Sequence, residues 1–225
     1  MNLTKIISNG TTIRTSGTTG PSKPIWQSPE KLEHANKAAI KCQGITATSK
    51  VLTVCSLDHA GGLLAQTLPA ISVGAPVTIT PFNAFKWISE ITKFTHSHLT
   101  PNMARAVMGT KTFKTIDMTG IVIMCGSDRV QSDIIQAFIN KGATFIVNWG
   151  MSEVGPVAIN KTYKPGDEVL HTDIIMGDTT YCETKIIDNE LYVYGEISVY
   201  DDWFATGDLV EYKDGSFWYL GRKHA

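Results

Sequence analysis

The sequence predicts an α/β fold, a parallel or mixed β-sheet layered with helices, followed by a small antiparallel β-rich subdomain. Short apolar, β-branched runs alternate with segments of helical spacing through most of the chain, the pattern of strands covered by helices. Two of these runs, residues 121–125 and 143–149, are joined by one helical segment and read as a βαβ unit. After about Asp173 the pattern changes to short alternating runs separated by Asp188-Asn189 and Asp214-Gly215, residue pairs that suit tight hairpin turns. This change places a boundary between residues 1–172 and 173–225.

Each element has a local reason. Ser28-Pro29-Glu30 supplies an N-cap, a proline at the first helical position and an acid in the first turn. Leu32, Ala35, Ala39 and Ile40 follow at helical spacing, so a helix is predicted to about Gln43. Residues 51–55 read as a short buried strand, 62–73 as a helix, 76–80 as a strand and 85–94 as a helix. In the βαβ unit, Ser132 is expected to cap the helix and Gly142 to end it. The tail strands are placed at 182–187, 191–194, 209–212 and 217–220.

Composition excludes several classes of function. The 225 residues hold 20 basic and 21 acidic side chains, a net charge of -1, which gives no electrostatic reason for a nucleic-acid partner. Cys42, Cys55, Cys125 and Cys182 form no CxxC pair, and three lie in apolar segments, so they read as reduced core thiols. The first residues lack the apolar run of a signal peptide, and a cytoplasmic protein is expected. No Asp, Glu, Lys or Arg occurs between Asp58 and Lys86, a length that spans a bilayer. Pro69, Pro76, Pro81 and Gln66 interrupt it, so a buried helix and strand are expected and no membrane partner.

Four segments carry chemistry. Thr15-Ser16-Gly17-Thr18-Thr19-Gly20-Pro21-Ser22-Lys23 combines flexible glycines, hydroxyl donors and a terminal lysine, as a phosphate-wrapping loop requires. Its spacing is not that of a Walker A loop, and a plain surface loop is the alternative. Asn148-Trp149-Gly150-Met151-Ser152-Glu153 follows the second βαβ strand, at the carboxyl end where α/β sheets bind ligands. Thr206-Gly207-Asp208 sits between β runs, and Gly221-Arg222-Lys223-His224 closes the chain.

In this order and separation the four segments resemble the adenylate-forming superfamily, which includes acyl-CoA synthetases and adenylation domains of nonribosomal peptide synthetases. The compact spacing is most similar to carboxylate-CoA ligases such as o-succinylbenzoate-CoA ligase. The resemblance implies that Thr15, Ser16, Gly17, Thr18, Thr19, Gly20 and Lys23 bind ATP phosphates. It implies that Gly126 and Ser127 line adenine, in place of the family's Gly-Gly-Ala-Pro-like turn. Asn148, Trp149, Gly150 and Met151 belong to the adenine motif, with Trp149 standing where the family has a stacking tyrosine. Ser152 replaces a threonine that donates to the α-phosphate, Glu153 holds Mg²⁺, Asp208 takes the ribose, and Arg222 reaches a ribose or a phosphate. Lys23, Ser152, Glu153 and His59 are the catalytic candidates. His59, in Ser56-Leu57-Asp58-His59-Ala60-Gly61-Gly62, is placed near the acyl pocket, with Gly61 and Gly62 in its lining.

Each residue has a plainer reading. Asp208 could be a turn aspartate, Trp149 a half-buried core aromatic, Glu153 an acid at a helix N-terminus, Arg222 a solvated surface residue and His59 a core histidine. His96 and His98 share a strand face, but with no third ligand nearby in sequence they do not make a metal site.

The implied activity is ATP-dependent activation of a small carboxylic acid, with ATP/AMP, Mg²⁺ and coenzyme A as cofactors. The resembled family also carries a leading subdomain and a carboxyl-terminal lysine domain after the Gly-Arg motif. Neither is expected here, since the loop begins at Thr15 and the chain ends at Ala225. Slow adenylation, a homodimer or a completing partner protein are expected in consequence. The alternative is an AMP/ATP-binding or docking protein without chemistry.

Overall fold

Capping signals set the first long helix. In the computed structural model, which describes residues 3–15 and 21–223, the chain opens with α1 (Leu3–Asn9), the hairpin β1 (Thr11–Arg14) and β2 (Pro24–Gln27), and α2 (Pro29–Gln43). Ser28 caps α2 by accepting from the Lys31 N–H at 3.2 Å, and Gly44 ends it at φ 66°. Leu32, Ala35 and Ala39 are buried on its inner face. Ser28→Ala is expected to cost about 1 kcal/mol, read as a lowered urea midpoint at unchanged slope.

After β3 (Val51–Thr53) the chain forms one continuous helical rod. It begins as α3 (Ala60–Gly62), loosens into a π segment over Leu63–Thr67 and finishes as α4 (Leu68–Ser72). Pro69 has no N–H to give the preceding turn. The Ala65 carbonyl instead accepts from the Gln43 side chain at 2.7 Å, which ties the rod to α2.

The chain continues through β4 (Val77–Ile79), α5 (Ala84–Glu90), β5 (His96–Leu99), α6 (Pro101–Met108), β6 (Val122–Gly126), α7 (Ser132–Ile139), β7 (Thr144–Met151) and β8 (Gly155–Tyr163). α6 is absent from the sequence reading. Its Thr100-Pro101 start repeats the Ser28-Pro29 signal, and Thr100 caps it through the Met103 N–H. The expectation that Ser132 caps α7 is wrong: Gln131 occupies the cap position without a side-chain bond, and Ser132 is the first helical residue.

These strands form a seven-stranded sheet in the order β10-β8-β7-β6-β5-β3-β4. Pairs among β4, β3, β5, β6 and β7 are parallel, whereas β8 and β10 (Thr179–Thr180) are antiparallel. Helices α5, α6 and α7 cover one face, where Trp87, Phe113, Phe138 and Phe145 centre the largest apolar cluster. On the other face, Ala39 of α2 and Ala65 of the π segment pack on Met124, Ile146 and Val157.

The second sheet has the order β11-β12-β13-β14-β9, formed by β9 (Ile174–Gly177), β11 (Glu183–Ile187), β12 (Glu190–Tyr194), β13 (Phe204–Lys213) and β14 (Ser216–Arg222). Both predicted hairpin turns are present, with Asp188 at φ 50° and Asn189 at φ 62°, and Asp214 at φ 52° and Gly215 at φ 72°. Positive φ at both central positions matches the right-handed twist of the flanking strands. Leu191, Val193, Val210 and Phe217 of this sheet pack with Ala158 and Ile159 of β8, and Trp149 rests against the same cluster. Among the described residues no helix is long and apolar enough to cross a membrane.

Candidate active site

The candidate residues gather at the carboxyl edge of the parallel strands, where backbone polar groups at the strand ends and loop side chains converge. His98 lies near the end of β5, Gly126 ends β6, and Asn148 pairs with Gly126 across to β7. Gly61 starts the helical rod beyond β3. His98, Gly126 and Asn148 all face the side covered by α2 and the rod, because Met124, the parallel partner of His98, packs there with Ile146.

Of the predicted phosphate loop, Ser16, Gly17, Thr18, Thr19 and Gly20 lie outside the described residues. Its neck is described. The Thr15 N–H donates to the Lys23 carbonyl at 3.0 Å, the Lys23 N–H to Thr15 Oγ1 at 2.9 Å, and Ser22 Oγ to the Thr15 carbonyl at 2.8 Å. The β1–β2 hairpin therefore holds Thr15 and Lys23 together, with Lys23 exposed. His59 is exposed and turns its Nδ1 to the Arg14 carbonyl at 3.1 Å, one residue before Thr15. It is not a core histidine.

Gln27, a residue the sequence reading passed over, joins this hairpin to the second motif. Its buried side chain donates to the Ser152 carbonyl at 2.8 Å across 125 residues of sequence. Ser152 and Glu153 form the turn between β7 and β8, held from the other side by the Val199 N–H on the Glu153 carbonyl at 2.8 Å. The alternative reading of Glu153 as a helix N-terminal acid is corrected, since a strand follows it. Gly150 is needed here, because a Cβ would stand 2.2 Å from the Gly155 carbonyl oxygen.

Asp208 is also corrected in place. It lies inside β13, not on a turn, beside Gly207 at φ 75° and next to a register shift against β14. Its carboxylate is 3% exposed and fully engaged: Oδ2 accepts from Trp149 Nε1 at 3.0 Å and Oδ1 from Arg222 at 2.7 Å. Burial pushes this carboxyl above its ordinary value of 3.8, against the pull of Arg222 and the Trp149 bond. Arg222 is thus held in an ion pair and only partly exposed, and Trp149 has its ring edge fixed by the same carboxylate.

One further carboxylate braces this corner. Glu190, buried on β12, accepts from the Gly207 N–H at 3.1 Å and from Lys223 Nζ at 2.5 Å, while the Lys223 N–H donates to the Gly207 carbonyl at 2.9 Å. The residue before Asp208 and the residue after Arg222 are held by one group, and the Lys223 ammonium keeps Glu190 below the usual carboxylate range. Sequence reading missed it because the brace exists only once three strands align. Glu190→Ala strands the Gly207 N–H, and a drop of roughly 3 °C in melting temperature is expected by calorimetry.

His98 and Asn148 form a second buried corner. His98 Nδ1 bonds the Gly61 carbonyl at 2.8 Å, and Asn148 Nδ2 donates to the Pro156 carbonyl at 2.8 Å. His98 Nε2 and Asn148 Oδ1 make no hydrogen bond among the described residues. Ser127, at φ 73°, closes this corner beside Gly61, whose missing Cβ would stand 3.2 Å from Ser127 Oγ. His96 points to the same face but spends Nε2 on the Gln43 carbonyl at 3.1 Å. The two imidazoles thus serve separate backbone carbonyls, and the described residues contain no cluster of three metal-ligating side chains.

A nucleotide-borne magnesium ion needs only one or two carboxylates, since phosphates and water complete its shell. Glu153, on a partly exposed turn beside buried Ser152, fits that need. The cysteines fit the core-thiol reading: all four are free, and burial pushes Cys42, Cys55 and Cys182 up to about 12.

Comparison with known proteins identifies the family and the fold. The sequence profile of the AMP-binding enzyme family matches residues 11–207. The indoleacetate–CoA ligase of Aromatoleum aromaticum is 27% identical over 93% of this chain and 46% of its own length. The mitochondrial malonate–CoA ligase of Xenopus laevis is 24% identical over 93% and 47%. The fold superposes on the o-succinylbenzoate coenzyme A synthetase of Bacillus subtilis, solved with ATP and magnesium ion, at a TM-score of 0.80, with 20% identity over 94% of this chain and 50% of that one. A similar match, TM-score 0.80 at 19% identity over 94% and 46%, is to the anthranilate CoA ligase AuaEII in complex with anthranoyl-AMP. The chain spans about half the length of the curated relatives it matches. With a profile covering most of its residues and the sheet, hairpin and carboxylate corner in place, the chain belongs to the AMP-binding enzyme family.

Proposed function

We propose that the chain binds ATP with Mg²⁺ and a small carboxylic acid, and joins them as an acyl-adenylate on the way to a coenzyme A thioester. The observation that carries this reading is the link from the phosphate-loop hairpin through Gln27 to the Ser152 turn, which directly follows β7, the strand whose Trp149 bonds Asp208. Asp208 would accept from the ribose hydroxyls, exchanging or sharing the bonds it now accepts from Trp149 and Arg222. Because the indole N–H is committed, the face of Trp149 is what remains for adenine. Thr15, Lys23 and the loop between them would face the phosphates, Ser152 would donate to the α-phosphate, and Glu153 would hold Mg²⁺. Gly126, Ser127, Gly150 and Met151 would shape the adenine side, and His59 the acyl side.

In this reaction a substrate carboxylate oxygen forms a bond to the α-phosphorus, the bond to the β-phosphate oxygen breaks, and pyrophosphate leaves. Charge-stabilising groups already in position lower the barrier most, because they need not reorganise as charge develops. Coenzyme A as acceptor, a cytoplasmic setting and assistance from a second copy or partner protein belong to the same reading. The two-part division at 172/173 belongs to it as well, with residues 1–172 as the nucleotide-binding core.

Exchange of labelled pyrophosphate into ATP, driven by a panel of carboxylic acids, tests the reaction, and a rise above the acid-free rate with at least one acid is expected. Absence of exchange with every acid, while AMP still binds, would leave a nucleotide-binding protein without chemistry. Calorimetry adds a second check: a non-hydrolysable acyl-adenylate analogue should bind at least about a hundredfold more tightly than AMP if the site complements the reacting species.

A further inference from the structure

We propose that His98 and Asn148 form a two-acceptor subsite that selects carboxylic acids bearing a hydrogen-bond donor, an N–H or O–H group, on the acyl side of the site. This rests on the reading of the chain as an acid-activating enzyme and names the chemical class of its acid.

The argument is one of hydrogen-bond accounting. The Gly61 carbonyl can only accept, so the His98 Nδ1 beside it at 2.8 Å carries the proton of the neutral ring, and Nε2 is left with a lone pair. Burial holds His98 below the ordinary imidazole range, which keeps the ring neutral. The Asn148 amide is fixed in the same way: its Nδ2 donates to the Pro156 carbonyl at 2.8 Å, so Oδ1 is the atom left over. Neither group can be turned to relieve the other. The Asn148 side chain lies close enough to favour the protonated His98 ring, but no hydrogen bond of normal geometry joins the two, and Nε2 and Oδ1 stand without a partner.

His98 is 1% exposed and Asn148 7%. Two buried acceptors without a donor are costly, and a ligand that supplies the donor recovers that cost. Glycines shape the corner. A Cβ on Gly126 would stand 2.5 Å from Asn148 Oδ1, so only glycine lets the asparagine turn inward. Gly61 is partly exposed, and a Cβ there would stand 2.9 Å from His98 Cε1 and 3.2 Å from Ser127 Oγ. Its absence lets the edge of the imidazole and Ser127 Oγ pack closely against the partly exposed Gly61 backbone. A site built to hydrogen-bond a substrate group rejects the analogue that lacks it far more strongly than an apolar pocket rejects a change of size.

The test uses matched acids in which a donor is exchanged for a group of similar size without one. These are 2-, 3- and 4-aminobenzoate against the three methylbenzoates, and indole-3-acetate against benzothiophene-3-acetate. Dissociation constants are measured by calorimetry with the full chain in the presence of AMP. At least one donor-bearing acid is expected to bind about tenfold or more tightly than its twin. That ratio should fall to near one in His98→Phe, which keeps a ring and removes the acceptor, and in Gly61→Ala, whose methyl group would crowd the imidazole edge; circular dichroism checks that each variant is folded. Ratios near one for every pair in the unaltered chain, the result if the two acceptors merely hold a water molecule, overturn the proposal without any variant. So does a ratio that persists in folded His98→Phe. If AMP binds but no acid does, the subsite is refuted while nucleotide binding stands; if AMP does not bind, the underlying reading fails first.

Discussion

Replacing Asp208 by alanine is expected to weaken AMP binding about a hundredfold, or about 2.7 kcal/mol, measured by calorimetry at neutral pH. The size follows from what the carboxylate does. It is the acceptor proposed for the ribose, and it also fixes Trp149 and Arg222 at 3.0 and 2.7 Å, so alanine loosens three contacts to the nucleoside together. The same variant leaves a buried indole N–H and a partly buried guanidinium without a partner, and about 2–3 kcal/mol of stability should be lost. Unchanged AMP affinity in a folded Asp208→Ala protein would sink the ribose assignment.

The same residue predicts a pH dependence of definite sign. Burial raises the Asp208 carboxyl above 3.8 in the folded chain, so the folded state holds this proton to higher pH than the unfolded state. Its contribution to stability is therefore favourable in acid and is lost as pH rises through the raised value. Binding runs the other way. Only the ionised carboxylate accepts from two hydroxyls, so AMP affinity should rise with pH over that window, which begins above the ordinary carboxylate value. An affinity flat across this range, with the protein folded, would argue that Asp208 does not meet the nucleotide.

Gly150→Ala should be strongly damaging, costing about 3 kcal/mol in chemical denaturation. The obstacle is backbone: Cβ would stand 2.2 Å from the Gly155 carbonyl oxygen and 2.4 Å from the Pro156 carbonyl carbon. A side chain could swing aside, but these atoms belong to β8, which pairs with β7 along nearly its whole length. Relief must come from moving the Ser152–Glu153 turn, so nucleotide binding should weaken together with stability. As a contrast, Gly44→Ala meets nothing within 4 Å and should cost only the strain of a non-glycine residue at φ 66°, about 1 kcal/mol. Equal costs for the two variants would show that the close approach at Gly150 is not what constrains it.

Local patterns in the chain were enough for several elements. Ser28-Pro29 placed α2, the Asp188-Asn189 and Asp214-Gly215 pairs placed two hairpins, and the apolar runs placed β3, β4, β6 and β7, because each depends on neighbours a few residues away. β8 was missed. It is a nine-residue antiparallel strand buried on both faces, so it shows no alternation, and its pairing partner β7 was already assigned a role. The π segment was missed for a related reason: it depends on Gln43 taking the Ala65 carbonyl, a contact 22 residues distant.

For the site, the order of the motifs and the family they resemble supplied the proposed residues: Lys23, Ser152, Glu153, Trp149, Asp208 and Arg222. Tertiary structure decided how they stand to one another. It put Asp208 within a strand, bound Trp149 and Arg222 to its two oxygens, hung the Ser152 turn on Gln27, and left His98 Nε2 and Asn148 Oδ1 without a well-formed hydrogen bond. The physical reason is range. Turn propensity, capping and hydrophobic period are set within about one helical turn of sequence, whereas a buried polar group is satisfied or stranded by whichever distant strand the fold lays beside it.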